Sequence, residues 1–339
     1  MLIRSKAPLR LGLAGGGTDV SPYSDIFGGG ILNATINLFA YATIEPTDDG
    51  KIYFETADGS NSIVIDTNSE IKPEGIFDIH AGIYNRIREN YFDKPLSFKL
   101  ITSIDAPAQS GLGTSSTLAV AILGAFVEWL KLPLGEYDIA HLAYEIERFD
   151  LGMAGGKQDH YSATFGGINF MEFYKDKVIV NPLRIKPSYL DELSHNLVLY
   201  YTDTSRLSSV IIQKQQQNVL DENSVAIEAM HQLKKQAIMM KEALLQGNLD
   251  EIGKILDFGW KFKKQMASGI SNDSLDKLYN MAIENGATGG KISGAGGGGY
   301  MFFYCPGNSR YRVIESLKQF GGYSERYEFT EGGLATWTL

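Results

Sequence analysis

The placement of glycine constrains this chain more than any other feature. It has 37 glycines in 339 residues, and many are gathered at five places: Gly15-Gly16-Gly17, Gly28-Gly29-Gly30, Gly111 with Gly113, Gly155-Gly156, and the run from Gly294 to Gly299. Glycine loses more backbone freedom on folding than any other residue, so a cluster implies a sharp turn or a close approach of main chain to another group. Elsewhere the make-up is ordinary, with 44% hydrophobic and 21% charged residues. That excludes a collagen-like, coiled-coil or disordered polymer. The clusters therefore read as loops that bring backbone to a ligand on an otherwise globular scaffold.

The length suggests two domains, at roughly 150 residues each. The formal net charge is −9. A surface this acidic argues against nucleic acid and anionic membrane as partners, but a small anionic substrate can still meet a local basic pocket. One cysteine, Cys305, excludes an internal disulfide and a cysteine-rich zinc site, and no His-Glu-x-x-His occurs. The stretch Met1 to Pro8 lacks the apolar run of a signal peptide, and Thr117 to Leu130 is too short for a bilayer and carries Glu128. A cytoplasmic protein is expected.

Periodicity gives a mixed chain. Arg10 to Leu13 reads as a short strand entering the first glycine turn. Ile31–Ile36 and Phe39–Ile44 read as a pair of strands, and Lys51–Glu55 with Ser62–Ile65 as a hairpin. Ile79–Tyr91 has helical spacing, Ser97–Ile101 is a strand, and Ser115–Leu130 is a largely buried helix followed by a second over Tyr137–Phe149. Strands are expected at Ile168–Phe173, Leu197–Tyr201, Tyr300–Tyr304 and Tyr323–Phe329. Helices are expected through 208–287 and over Tyr311–Phe320. The boundary between domains is placed near Leu183–Asn196.

Four segments carry chemistry. Pro107-Ala-Gln-Ser-Gly-Leu-Gly-Thr-Ser-Ser116 leads straight into the apolar helix. A helix start offers free N–H groups and the positive dipole end, and the glycines let a phosphate come close. The same residues also read as a plain hydroxyl-capped helix start. Lys291-Ile-Ser-Gly-Ala-Gly-Gly-Gly-Gly299 contains a G-x-G-x-x-G, but a strand-like run follows where a dinucleotide fold needs a helix. It reads instead as a loop sealing a pocket. Between Glu147 and His160, two acids, Glu147 and Asp159, stand twelve positions apart around a glycine turn. They fit a metal ligand and a base, or solvated surface charges. Near the N-terminus, Arg10 precedes Gly15-Gly16-Gly17-Thr18-Asp19, either a site turn or a tight hairpin. No G-x-x-x-x-G-K-[ST] occurs, and Asp257-Phe258-Gly259 lies in a helical segment, so neither P-loop nor protein-kinase chemistry is expected.

In this order, across almost the whole chain, the four segments resemble the GHMP kinases. The resemblance implies an α+β fold: an N-terminal ribosomal-protein-like domain, placed at residues 1–190, and a C-terminal ferredoxin-like domain, 191–339, with the site between them. It also implies ATP and Mg²⁺. Ser115 and Glu147 would hold the metal. Gly111, Leu112, Gly113, Thr114, Ser115 and Ser116 would hold the triphosphate. Asp159 would be the base, assisted by Arg10. Thr18 and Asp19 would contact the acceptor, with Ser293, Gly294 and Ala295 closing over it.

Gly15 to Asp19 replaces the Gly-Glu-His-Thr-Asp of galactokinases and looks like the turn of the family's bacterial heptose kinases and L-fucokinases. The compact length favours the former. The implied activity is phosphorylation of the anomeric hydroxyl of a heptose 7-phosphate, on the way to GDP-heptose for surface polysaccharide. Lys157 and Arg206 are the expected cations for the distal phosphate, with Lys6 next. An L-fucokinase, another kinase acting at C1, or a non-catalytic sugar-binding regulator stand as alternatives. The presence of Arg10, Ser115, Glu147 and Asp159 together favours catalysis.

Overall fold

The computed structural model describes residues 1–92, 94–204 and 208–339. Its strands are β1 Ile3–Ala14, β2 Gly29–Pro46, β3 Lys51–Thr56, β4 Ser62–Asp66, β5 Phe98–Ile104, β6 Ile168–Phe173, β7 Val178–Pro182, β8 Leu197–Tyr201, β9 Gly289–Ile292, β10 Tyr300–Tyr304, β11 Tyr323–Glu325 and β12 Ala335–Thr338. The helices are α1 Tyr23–Phe27, α2 Asp78–Asn90, α3 Thr114–Leu130, α4 Glu136–Glu145, α5 Gln158–Phe165, α6 Pro187–Asn196, α7 Ser208–Leu220, α8 Ser224–Gln246, α9 Glu251–Met266, α10 Asp273–Glu284 and α11 Arg310–Leu317.

The larger sheet runs β12-β1-β2-β5-β3-β4, with β6 also on β2 and β7 on β6. The two strands expected at Ile31–Ile36 and Phe39–Ile44 are one strand, β2, and both halves pair with β1. The register jumps from Pro8↔Phe39 to Arg10↔Thr35. Proline has no N–H to give the ladder, so the irregularity falls beside Pro8, and the extra residues of β2 are taken up there. The first half of β2 then pairs with β6 and the second with β5. From Ala7 to Ala14 every residue of β1 is buried, because α3 and α5 cover one face while α8 and α9 approach the other. Arg10 is carried inside by that strand.

The smaller sheet is antiparallel, ordered β11-β8-β10-β9. Of the strand expected at Tyr323–Phe329, only Tyr323–Glu325 pairs with β8. The chain then crosses to the larger sheet, where Phe329 bridges Ile36. Tyr327 and Phe329 pack into an apolar cluster shared by β1, β2, α8 and β10, which draws the segment off the sheet edge. Most of the segment 183–196, near which the domain boundary is expected, is α6, which leads directly into β8. The last strand, β12, returns to pair with β1.

The helix expected over Tyr137–Phe149 is α4 followed by a wide π-helical turn, Ile146–Asp150. Such turns shift the side-chain direction within a helix and occur often at functional sites. Here the turn points Glu147 wholly inward.

Candidate functional site

The glycine-bearing segments meet around one cleft of about 660 Å³, whose lining includes Arg10, Asp19, Ser115, Arg148, Asp159 and Lys263. The start of α3 opens into it. Gly113, in the left-handed region at φ +81°, begins the helix, and no side chain caps it. The first N–H groups of this long helix therefore lack side-chain partners. The hydroxyls of Ser115 and Ser116 go elsewhere, to Glu147 Oε1 and Oε2 at 2.5 Å each. The capped-loop alternative is not what this segment adopts. Gly111 allows a second close approach: a Cβ there would fall 2.5 Å from the carbonyl oxygen of Ser293. Ser293 Oγ donates to Gly111 O at 2.8 Å, so the two glycine loops are laced together, with Gly294 and Ala295 on the cleft wall.

Glu147 is fully buried. Besides the serines, His160 Nε2 lies 2.5 Å and Arg148 Nη2 3.4 Å from its Oε2. Burial alone would raise its pKa. The positive charges of Arg148 and His160 and the hydrogen bonds from His160 and Ser115 outweigh that and hold the carboxyl well below the usual range. The result is a fully buried carboxylate hydrogen-bonded to the exposed Ser115, which lines the cleft. Among the described residues no group of three or more His, Cys, Asp or Glu could hold a metal. Two hard oxygens, one anionic, nonetheless suit Mg²⁺, which takes one or two protein ligands and completes its shell with phosphate and water.

Asp159 lies in the first turn of α5 beside the start of α3. Arg10 Nε and Nη2 contact its Oδ1 at 2.7 and 2.5 Å, and Arg10 Nη1 donates to Gly111 O at 2.6 Å. The Asp159 side chain stays 23% exposed, within reach of a ligand. Asp19 is buried deeper. Its Oδ2 accepts from Gln158 N at 2.9 Å, and a Cβ on Gly156 would fall 1.9 Å from that oxygen. Burial, with the charge of Asp159 added, raises the Asp19 pKa despite the Gln158 bond and Arg10.

Not every expected residue reaches the cleft. Thr18 is fully buried, and its hydroxyl is taken up by Gly15 O at 2.9 Å and by Gly30 O and Gly30 N at 3.1 Å. It ties the glycine turn to β2 and presents no free group to a sugar. The Leu112 side chain belongs to the core, while its carbonyl accepts from Arg10 N. Lys157 Nζ is spent on Asp25 Oδ1 at 3.2 Å and Tyr174 O at 2.8 Å. It lines a separate cavity of about 700 Å³ with Tyr137, Tyr144 and Tyr174. Lys6 lies over the Phe39 ring. Arg206 falls outside the described residues.

Sequence reasoning missed Arg148, Gln215 and Lys263 on the cleft wall and His160 behind Glu147, and gave no role to Lys291. Lys263 and Lys291 are each 2% exposed. Lys263 Nζ is 3.5 Å from Gly16 O, and Lys291 Nζ donates to Gly12 O at 2.5 Å. Burial lowers both, Lys263 to about 8 and Lys291 well below its usual value. A signal existed. Gln215 falls in helical step with Ile211 and Val219, and Lys263 with Leu256, Trp260 and Met266, so each occupies a core position of its helix.

No helix among the described residues is long and apolar enough to cross a membrane. Two family models match, the GHMP kinases N terminal domain at residues 78–167 and the GHMP kinases C terminal at 240–322. Over 338 residues the chain is 48% identical to the D-glycero-alpha-D-manno-heptose 7-phosphate kinase of Campylobacter jejuni, with 99% of each covered. The crystal structure of a D-glycero-D-manno-heptose 1-phosphate kinase from Bacteroides thetaiotaomicron aligns with a TM-score of 0.84 at 45% identity, over 99% of both chains. The L-fucokinase/L-fucose-1-P guanylyltransferase of Bacteroides fragilis is 26% identical over 89% of this chain and 34% of its own.

Proposed function

This chain belongs to the GHMP kinases, and from that premise we propose that it phosphorylates the anomeric hydroxyl of D-glycero-D-manno-heptose 7-phosphate to give the 1,7-bisphosphate. The product would feed GDP-heptose synthesis for surface polysaccharide. Membership makes the protein an ATP-dependent phosphotransferase. The choice of sugar phosphate is supported by the full-length similarity to the Campylobacter jejuni enzyme of that name.

The observation that carries the chemical reading is Asp159, a carboxylate fixed by Arg10 beside an uncapped helix start. In this reading the α- and β-phosphates of ATP rest on the backbone N–H groups of Gly111 to Ser116, at the positive end of α3. Ser115 Oγ and Glu147 would hold Mg²⁺, which neutralises phosphate charge when bound. Asp19 orients the sugar, and Ser293, Gly294 and Ala295 exclude water above it. The anomeric hydroxyl attacks the γ-phosphorus, its proton passes to Asp159, and ADP leaves. Arg10 fixes the orientation of Asp159 and offsets charge on the moving phosphoryl group.

The test is ADP release with Mg-ATP and each of five acceptors: D-glycero-D-manno-heptose 7-phosphate, the heptose 1-phosphate, mannose 6-phosphate, L-fucose and galactose. The product is then read by phosphorus NMR. Turnover on the 7-phosphate far above the rest, with new phosphate at C1, is expected. Turnover confined to the 1-phosphate or to a neutral sugar would overturn the substrate assignment.

A further inference from the structure

The Gly15-Gly16-Gly17 turn has no side chains, and helices from the C-terminal half fill the space beside it. A Cβ on Gly17 would lie 2.4 Å from Met266 Cε and 3.5 Å from Gln215 Oε1. One on Gly16 would lie 3.8 Å from Lys263 Nζ. Gln215 of α7 and Lys263 of α9 are both 2% exposed, and both line the cleft. Each occupies a position where its helix otherwise buries apolar residues.

A polar group at a core position is unfavourable unless something bonds to it, and most buried polar atoms in folded proteins are bonded. These are not well served. Among the described residues Gln215 Nε2 has no partner, and the one hydrogen bond of Lys263 Nζ is the 3.5 Å contact to Gly16 O. In the N-terminal half, Asp19 Oδ1 and Gln158 Oε1 are likewise buried and unpartnered, and their residues line the same cleft. The set is mixed: two donors from α7 and α9, two acceptors from the glycine turn and α5. A phosphate, which only accepts, would satisfy the donors and be repelled by Asp19. Sugar hydroxyls both donate and accept, so neighbouring ring hydroxyls suit all four.

We propose that Gln215 and Lys263 are specificity-determining residues that read the ring hydroxyls of the sugar opposite Asp19 and Gln158. This rests on the reading of the cleft as a sugar kinase site, and not on which sugar phosphate is the substrate. The bare glycine turn is then part of the selection: it lets two helices distant in sequence reach the acceptor.

The test uses the full chain with Gln215→Met and Lys263→Met, varying sugar at saturating ATP and then ATP at saturating sugar. Each variant should raise the sugar KM, about tenfold for Gln215→Met and more for the charged Lys263. The ATP KM should stay within about twofold. Melting temperatures should hold or rise, because an unpaired buried polar group has been removed. An unchanged sugar KM in both variants, or both KM values rising with a lower melting temperature, overturns the proposal. If Lys263→Met does not fold, Gln215→Met and a calorimetric titration of sugar carry the comparison. Turnover on L-fucose alone would defeat the substrate assignment while leaving this test intact on that sugar. Heptose phosphate turnover with unchanged KM in both variants would defeat this inference alone.

Discussion

Arg10 holds Asp159 by one oxygen: Nε at 2.7 Å and Nη2 at 2.5 Å both end on Oδ1. The third nitrogen, Nη1, holds Gly111 O. One planar guanidinium therefore sets the spacing between the carboxylate and the glycine loop that opens onto α3. Oδ2 is left on the side of Gly113, where an ideal Cβ would come within 3.3 Å. Glycine at 113 serves both ends of this arrangement, since its left-handed backbone starts the helix and its missing side chain admits Asp159.

Asp159→Asn keeps the shape and removes the proton acceptor. We expect kcat to fall by about 10²–10⁴-fold, the usual worth of a general base, with the ATP KM little changed. Steady-state kinetics at saturating Mg-ATP measures this. Turnover within tenfold of wild type would remove Asp159 from the chemistry.

Glu147→Gln replaces a buried carboxylate by a group that turns an NH₂ toward several donors. Breaking such a site costs roughly 3–5 kcal/mol. The folded-state pKa is depressed below the ordinary 4.5. The stability it supplies is therefore full above that value and is lost as pH falls toward the folded pKa. Urea midpoints for wild type and variant should differ most at neutral pH, and the gap should narrow progressively over the acid range below about pH 4.5. A constant gap across that range would contradict the assignment of the ionised form.

Lys263 has its folded pKa lowered to about 8 from 10.5 by burial, with Arg10 adding to the effect and Asp19 opposing it. Lys291 also faces it, and burial lowers its value well below the usual one. The unfolded chain binds more protons between about pH 8 and 10.5, so stability rises with pH across that window and is lost as pH falls back through 8. Relative to Lys263→Met, wild type should gain about 3 kcal/mol from pH 7.5 to 10.5, since each pH unit between the folded and unfolded values contributes about 1.36 kcal/mol. Parallel denaturation curves at the two pH values would show that Lys263 does not titrate there.

Gly156→Ala would place a methyl group where Asp19 Oδ2 now lies, 1.9 Å from the ideal position. The carboxylate must move, because it is buried and bonded to Gln158 N. The expected result is a sugar KM raised about tenfold, an ATP KM near wild type and a stability loss of about 1–3 kcal/mol for overpacking. Equal rises in both KM values would place Asp19 outside the acceptor site.

Lys157→Met tests the expected distal-phosphate cation. Its ammonium is committed to Asp25 and Tyr174 O in the neighbouring cavity. The sugar KM should therefore stay within about twofold. A selective rise of tenfold or more would bring Lys157 into the acceptor site after all.

Continuous apolar runs bounded by glycine, proline or polar turns were legible. The strands Ile168–Phe173, Leu197–Tyr201 and Tyr300–Tyr304 match β6, β8 and β10, and the apolar helix matches α3 to within a residue. Local periodicity failed where a tertiary contact decided the outcome. The two short strands fused into β2 because the irregularity beside Pro8 absorbs the break between them. The end of the Tyr323–Phe329 run left its sheet for a core shared with β2. Thr18 looked like a site residue and proved to be the clasp of a turn.

What the sequence determined by itself was the set of backbone conformations: where glycine permits left-handed or side-chain-free main chain, and in what order those loops occur. It also determined which segments carry an apolar face. What the tertiary structure decided was which loops meet. Arg10 reaches Asp159 across 149 positions, Ser293 reaches Gly111 across 182, and Lys263 reaches Gly16 across 247. Local spacing carries no information over such distances. They are set by strand pairing and by which helices cover which sheet face, and so helical step could mark Gln215 and Lys263 as polar residues at core positions, but only the packing of α7 and α9 shows that they meet the glycine turn.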